Sequence, residues 1–170
     1  MYLKSFIRDV PNFPKEGVIF KDITLLLQNP IALKNAADAL VTFLTNQAID
    51  KVVGMESRGF IFGPILAERL NAGFVPIRKP GKLPSRIISE TYDLEYGSDS
   101  LEIHEDSIEN GDKVLIHDDV LATGGTASAA CKLVERLGGE IVQCNFLIEL
   151  TFLKGAEKIN NYSVKSLLKY

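Results

Sequence analysis

Two adjacent carboxylates followed by a glycine-rich loop are the residues of this sequence best suited to chemistry. Asp118 and Asp119 come at the end of an apolar run, and residues 123–126 (Thr-Gly-Gly-Thr) lead from them into a helical pattern. Ionised carboxylates accept hydrogen bonds from a sugar diol. Amides at a helix N-terminus bind phosphate because their N–H groups lack partners and the helix dipole favours an anion. The pattern therefore predicts a sugar-phosphate site.

A solvated acidic turn is the alternative interpretation of the two carboxylates. A purely structural turn needs one glycine for a positive φ, whereas here a Gly-Gly pair flanked by hydroxyls leads into a helix. The loop lacks both the GK[ST] of a P-loop and the GxGxxG of a dinucleotide site. The single Gly-Lys pair of the sequence, Gly81-Lys82, is followed by Leu83, which excludes a P-loop.

Strand and helix patterns alternate along the chain and predict an α/β fold with a mostly parallel sheet. The predicted helices begin at Asn29-Pro30, after Gly59 and after Gly125, and the predicted strands cover residues 51–55, 74–77, 113–116 and 141–150. Ligands bind at the carboxyl ends of strands in such sheets. The polar loops after Met55 and Ile116 are expected at that edge.

We expect a single domain over residues 1–170. Two regions of it do not follow the alternation of strands and helices. Residues 1–28 are expected to form a short arm, interrupted by Pro11 and Pro14. Residues 78–106 are rich in Lys, Pro, Ser, Glu and Gly, and we expect a long flexible surface loop there with at most a weak hairpin. Such long loops usually serve function or are disordered.

Composition excludes several classes of protein. Hydrophobic residues make up 46%, charged residues 24%, and the formal net charge is -3. This charge argues against a protein that coats nucleic acid. Cys131 and Cys144 form no CxxC pair and are expected to be reduced core residues. Neither a membrane-spanning apolar run nor a signal peptide is recognisable, so we expect a cytoplasmic protein.

The segment 114–126 closely resembles the phosphoribosyl-diphosphate (PRPP) signature of the type I phosphoribosyltransferases. Further segments are similar to the adenine-specific branch of that family: residues 13–24, 56–60, 78–84 and 92–97. The implied fold is a mostly parallel central sheet flanked by helices, with an N-terminal hood and a long catalytic loop. Glu16 stands where the family often has proline, and Lys21 stands where arginine is common.

The resemblance implies a purine-salvage transferase that converts adenine and PRPP into AMP and diphosphate. It implies Mg²⁺ held through PRPP rather than by protein ligands, and a homodimer with no nucleic-acid or membrane partner. Another base (xanthine, hypoxanthine, guanine or orotate) is an alternative acceptor. A regulator that binds PRPP without catalysis is a further alternative, although the chain has no room for an added DNA-binding domain.

The resemblance also implies roles for individual residues. The ribose hydroxyls are assigned to Asp118 and Asp119, and the 5′-phosphate to Ala122, Thr123, Gly124, Gly125 and Thr126. The diphosphate is assigned to Glu56, Ser57, Arg58, Arg78, Lys79 and Lys82. The clustering of these basic side chains in loops is what a highly charged anion requires.

Glu95 is the implied proton-handling residue, singled out from Glu90, Glu102 and Glu105 by the Leu-Glu-Tyr-Gly match alone. Tyr96 is assigned to the same lid. Adenine recognition is expected around Val18, Ile19, Phe20 and Lys21, where Phe20 either stacks on the base or packs into the core. His117 is interpreted as a strand-end residue without a catalytic role.

Overall fold

The computed structural model describes residues 2–93 and 97–170. The chain divides into two compact units, Met1–Ala39 and Leu40–Tyr170. Within the described residues, no helix is both long enough and apolar enough to cross a membrane.

The first unit contains a two-stranded antiparallel sheet and helical segments. After a 3-10 helix (Leu3–Phe6), strand β1 (Arg8–Pro11) pairs with β2 (Ile19–Asp22), and helices α1 (Thr24–Gln28) and α2 (Pro30–Thr42) follow. Asn29 begins α2 as predicted, because its Oδ1 accepts hydrogen bonds from the backbone N–H groups of Ile31 and Ala32 at 3.1 and 2.9 Å. The β1–β2 pairing and α1 were not predicted.

A five-stranded parallel sheet forms the centre of the second unit, which confirms the predicted fold class. Its strands are β3 (Lys51–Met55), β4 (Gly73–Ile77), β7 (Lys113–Leu121), β8 (Glu140–Glu149) and β9 (Val164–Lys169). Their spatial order is β4-β3-β7-β8-β9. Strands β5 (Ile87–Asp93) and β6 (Ser98–His104), which lie between β4 and β7 in the sequence, form a separate hairpin. From β3 the chain continues to β4 on one side of the sheet, whereas from β7 it continues to β8 on the other side, so the order of the strands reverses between β3 and β7. A crevice at the carboxyl ends of these two strands is the usual ligand site of an open parallel sheet.

Helices cover both faces of this sheet. Helix α3 (Gly59–Leu70) packs its Phe62 ring edge-on to His117 of β7, and α4 (Gly125–Arg136) packs its alanines, Leu133 and Val134 into a core that includes Ile116. Successive strand residues point to opposite faces, so α3 and α4 lie on opposite sides of the sheet. Burial on both faces explains the continuous apolar runs of the central strands.

Three elements differ from the sequence predictions. Strand β7 extends to Leu121, so Asp118 and Asp119 lie within the strand rather than after it. The region 78–106 holds the regular β5–β6 hairpin, and Leu101 and Ile103 on β6 are fully buried, so its apolar residues are not isolated. Strand β9 was missed, because its half-exposed residues give little alternating signal.

Both cysteines lie in the core as free thiols, in agreement with the prediction. Cys131 on α4 and Cys144 on β8 are buried, with their Sγ atoms 3.7 Å apart. The hydrogen bond with the Cys131 thiol, together with burial, raises the pKa of Cys144 far above its ordinary value.

Candidate active site

The paired carboxylates of β7 lie beside the loop that joins β3 to α3. Arg58 Nε lies 3.0 Å from Asp119 Oδ2, in an orientation that makes an ion pair rather than an aligned hydrogen bond. A Cβ atom on Gly59 would lie 3.0 Å from the His117 carbonyl oxygen and 3.1 Å from Asp118 Oδ1. Glycine at this position therefore allows α3 to begin directly against the carboxylates.

Electrostatics at the acidic pair favour an incoming donor or cation. Asp119 is only 2% exposed. Burial raises the pKa of both carboxyl groups, and the negative charge of Asp119 raises the pKa of Asp118 further, while Arg58 opposes the rise at Asp119. Two hydroxyl groups of a sugar would supply the hydrogen bonds that stabilise the ionised form of this pair.

The loop after β7 presents backbone to a small cavity of about 70 Å³ that is also lined by Asp118. Gly124 is the N-cap residue of α4 with φ +79°, and as a glycine it has no side chain to cap the first turn of this helix. A Cβ on Gly124 would lie 2.3 Å from the Gly155 carbonyl oxygen. The loop thus has a helix N-terminus without a side-chain cap from its N-cap residue, and the close backbone packing that suits a phosphate cradle.

Glu56 forms hydrogen bonds and ion pairs with basic residues of the segment that follows β4. It accepts hydrogen bonds from Arg78 Nε at 3.1 Å, from the backbone N–H of Lys79 at 2.8 Å and from Lys82 Nζ. Burial alone would raise the pKa of Glu56, but these donors outweigh it and lower the pKa to about 2. Glu56 therefore stays ionised and holds the cations in place, while the exposed Ser57 follows it in the same loop.

A tyrosine of the hairpin connects the basic segment to the phosphate loop. Tyr92 Oη accepts hydrogen bonds from Lys79 Nζ at 3.1 Å and from Thr126 Oγ1 at 3.3 Å, and it donates to Asp99 Oδ2 at 3.3 Å. A Cβ on Gly125 would lie 3.1 Å from the Tyr92 ring. Candidate diphosphate and 5′-phosphate residues are thus linked through one phenol.

Comparisons with known proteins agree with this geometry. The sequence profile of the phosphoribosyl transferase domain matches residues 22–168. The adenine phosphoribosyltransferase of Christiangramia forsetii is 64% identical over 170 residues, which are 100% of this chain and 99% of that protein. The chain belongs to the adenine phosphoribosyltransferase family.

Solved structures of adenine phosphoribosyltransferases have the same fold. The enzyme of Thermoanaerobacter pseudethanolicus superposes with a TM-score of 0.97 at 50% identity, covering 99% of this chain and 98% of that one. The Saccharomyces cerevisiae enzyme, in complex with an imino-altritol bisphosphate and adenine, gives a TM-score of 0.94 at 46% identity, covering 97% and 96%.

The residues expected to bind adenine lie in the first unit, on and next to β2. Phe20 is half-buried and meets Phe13 edge to face with ring centroids 5.2 Å apart, so it does not pack into the core. Lys21 Nζ donates to Asp9 Oδ1 at 2.7 Å. The backbone of Val18 is engaged with Lys15 and Phe13, and Ile19 is more than half exposed.

Phosphoribosyltransferases generally use PRPP with Mg²⁺. Among residues 2–93 and 97–170, no group of three or more acidic, histidine or cysteine side chains is arranged to hold a metal ion. Mg²⁺ usually keeps several waters and binds through one or two carboxylates and substrate phosphates. Asp118 is half-buried and Asp119 is buried, and their carboxylate oxygens are of the type that Mg²⁺ accepts beside substrate phosphates, although the adjacent Arg58 cation opposes a metal ion held by these side chains alone.

Sequence reasoning missed three residues that the structure brings to the site. Gly155 packs its backbone against the phosphate loop, since a Cβ there would lie 2.2 Å from the Ala122 carbonyl oxygen. Tyr92 and Asp99 contact Lys79 from the hairpin. A prediction that β5 and β6 pair as a hairpin would have found Tyr92 and Asp99. No local pattern of the sequence marks Gly155. Glu95 and Tyr96 lie outside the described residues.

Proposed function

We propose that this protein transfers the 5-phosphoribosyl group from PRPP to adenine and releases AMP and diphosphate. The observation that carries the proposal is the position of Asp118, Asp119 and the following glycine loop at the switch point between β3 and β7. At this one edge, acceptors for a sugar diol lie next to a helix N-terminus that suits a phosphate. Family membership and the names of the full-length relatives support the same reaction.

The ribose and its 5′-phosphate bind along β7 and its loop. Asp118 and Asp119 accept hydrogen bonds from the two ribose hydroxyls. These donors stabilise the ionised carboxylates and so lower the pKa values that burial had raised. The backbone of residues 122–126, with the hydroxyls of Thr123 and Thr126, surrounds the phosphate. Fixing both ends of the ribose phosphate orients C1′ toward the incoming base.

Cations of the β3 and β4 loops stabilise the departing diphosphate. Arg58, Arg78, Lys79 and Lys82 supply positive charge where negative charge develops as the glycosidic bond breaks. Glu56 fixes Arg78 and Lys82 before substrate arrives, which lowers the reorganisation needed during reaction. When bound with PRPP, Mg²⁺ supplies further neutralisation of the diphosphate oxygens.

Glu95 is assigned the proton transfer at the imidazole ring of adenine as the ring nitrogen bonds to C1′. Tyr96 is assigned to the segment that covers the reacting groups. The support for both assignments is the Leu-Glu-Tyr-Gly match in the sequence. Closure over the site would exclude water, which would otherwise hydrolyse PRPP.

Adenine selection is assigned to residues Val18, Ile19, Phe20 and Lys21 of the first unit. The edge-to-face pair of Phe13 and the half-buried Phe20 offers an apolar surface for a flat base. Backbone groups that match the amino edge of adenine are left unpaired by the oxo edge of hypoxanthine, which costs binding free energy.

One assay tests the function: AMP formation from adenine and PRPP with and without Mg²⁺, repeated with hypoxanthine, guanine, xanthine and orotate. We expect Mg²⁺-dependent AMP formation and a preference for adenine of about a thousandfold or more in kcat/KM, as expected where polar groups that become buried under the bound base would be left unpaired. Comparable rates with another base would contradict the base assignment. PRPP binding without product formation from any base would identify a regulator instead.

Assembly and location are also proposals. We infer a homodimer from the family resemblance, and Phe152, 70% exposed in the second unit, offers an apolar contact for such an interface. Light scattering after size exclusion measures the dimer directly. The two free thiols favour the reducing cytoplasm.

A further inference from the structure

Lys79 does not present a free ammonium group to a diphosphate in this structure. Its Nζ donates to Asp99 Oδ2 on β6 and to Tyr92 Oη on β5 at 3.1 Å. The side chains of Lys79 and Asp99 are each about one-third exposed, at 35% and 32%. The charge expected to attract an anion is therefore already paired within the chain.

The carboxylate of Asp99 is firmly held as the partner of this lysine. Its Oδ2 also accepts the Tyr92 hydroxyl at 3.3 Å, and its Oδ1 accepts the backbone N–H of Ser100 at 2.8 Å. The hydrogen bond from Lys79 is the main cause that lowers the pKa of Asp99. Burial would lower the pKa of Lys79, but Asp99 and Tyr92 outweigh burial and raise it. Both groups are charged at neutral pH.

Such a pair contributes little attraction to an approaching polyanion, because the field of the ammonium is cancelled by the adjacent carboxylate. A diphosphate oxygen that bonds to Lys79 Nζ must take the position of Asp99 or pull the ammonium away from it. In either case the ion pair breaks and a negative side chain remains beside the bound anion. Glu56 differs from Asp99 in its number of basic partners, because it accepts hydrogen bonds from three residues of the segment after β4, whereas Lys79 is the single cation of the described residues paired with Asp99.

We propose that Asp99 is an internal counter-anion which occupies Lys79 in the free protein and competes with the diphosphate group for it. The inference rests on the proposed function, in which Lys79 binds the diphosphate. Asp99 thereby weakens the binding of diphosphate and favours its release as product, since the carboxylate returns to Lys79 when the anion leaves. Asp99 is a positioning residue that acts through Lys79.

The direction in which the diphosphate affinity changes when Asp99 is replaced distinguishes this role from a structural one. Titration of inorganic diphosphate with Mg²⁺ into the full chain, followed by calorimetry, gives the dissociation constant directly. The Asp99→Asn variant keeps the side-chain shape and removes the charge. We expect it to bind diphosphate about twofold to fivefold more tightly, the effect of losing one partly exposed ion pair as competitor. A supporting structural role for Asp99 predicts weaker binding instead.

Two further variants isolate the mechanism. Glu109→Gln removes one negative charge from an exposed turn that precedes the amino end of β7, and we expect less than about a twofold change from this general effect because the charge is screened. In a Lys79→Met background, Asp99→Asn should tighten diphosphate binding by a clearly smaller factor, because competition for Lys79 is gone and only direct repulsion by the carboxylate is relieved. Steady-state kinetics of Asp99→Asn should show a lower KM for PRPP without a higher kcat.

The inference would be overturned if Asp99→Asn bound diphosphate only as tightly as the wild-type protein, or more weakly. It would also be overturned if Asp99→Asn gave the same gain in affinity in the Lys79→Met background as in the wild-type background. Thermal unfolding of each variant checks that it is folded, and Asp99→Ala serves as a second charge-removing variant. Failure of the wild-type protein to bind diphosphate would overturn the proposed function and this inference together. Normal wild-type binding with an unchanged Asp99→Asn constant would overturn only the role of Asp99.

Discussion

Replacing Gly124 by alanine tests whether the backbone of the phosphate loop sets the activity. Gly124 has φ +79°, a conformation that an L-residue adopts at a cost of about 1–2 kcal/mol. The new Cβ would also lie 2.3 Å from the Gly155 carbonyl oxygen, where ordinary contact begins at 3.4 Å. The loop must therefore move by about 1 Å relative to its neighbour, because the position of the Cβ is fixed by its own backbone and the atom it meets is a backbone carbonyl oxygen.

A displacement of this size has a large effect on catalysis and a moderate effect on stability. A misplacement of about 1 Å in a substrate-positioning group can cost about a hundredfold in rate. We therefore expect kcat/KM for PRPP to fall by about a hundredfold in Gly124→Ala. The free energy of unfolding should fall by roughly 2–5 kcal/mol, the sum of backbone strain and overpacking.

Gly111→Ala is the matched control. Gly111 has φ +88°, but a Cβ there would meet no atom within 4 Å. This variant should lose about 1–2 kcal/mol of stability from backbone strain alone and keep its kcat/KM. Urea unfolding and initial rates of AMP formation measure both quantities for both variants. If Gly124→Ala has the activity of Gly111→Ala, the loop does not position the 5′-phosphate and the reasoning is refuted.

The other predictions concern charged and titratable side chains. Asp119→Asn should keep the fold but lower kcat/KM for PRPP by about tenfold to a hundredfold, the loss of one charge-assisted hydrogen bond; unchanged PRPP kinetics would contradict the diol assignment. Glu95→Gln should lower kcat more than it alters substrate binding, and an unaltered pH–rate profile would count against its proton transfer. Burial lowers the pKa of His117 to about 4, although the hydrogen bond with Asn145 opposes this. Unfolding free energies should therefore decline as the pH falls from about 6.5 towards 4, by at most about 1.4 kcal/mol per pH unit, and His117→Gln should flatten this slope in urea titrations.

Local patterns were enough to predict most of the regular elements. Strand β3 has the predicted bounds, α2 begins at the predicted Asn29 cap, and α3 ends at Asn71 with φ 53°. Each of these depends on contacts within a few residues, such as a capping side chain or a short apolar run. Sequence reasoning is reliable where the deciding interaction is local.

Elements that depend on distant pairing were predicted less well. The β5–β6 hairpin has mixed polar and apolar residues, and the burial of Leu101 and Ile103 becomes visible only when the hairpin joins the core. Strand β9 forms as a parallel partner of β8, with Val164 opposite Cys144. Their stability comes from partners that no local window of the sequence contains.

The sequence by itself determined the kind of chemistry, because an acidic pair before a Gly-Gly loop restricts the ligand to one with hydroxyls and a phosphate. It also determined the α/β class, through alternating periodicities that follow from backbone geometry. Only the tertiary structure decided which charges meet. The pairings of Arg58 with Asp119, of Glu56 with Arg78 and Lys82, and of Lys79 with Asp99 join residues from separate strands and loops. Coulombic interactions depend on distance in space, which the order of residues along the chain does not specify.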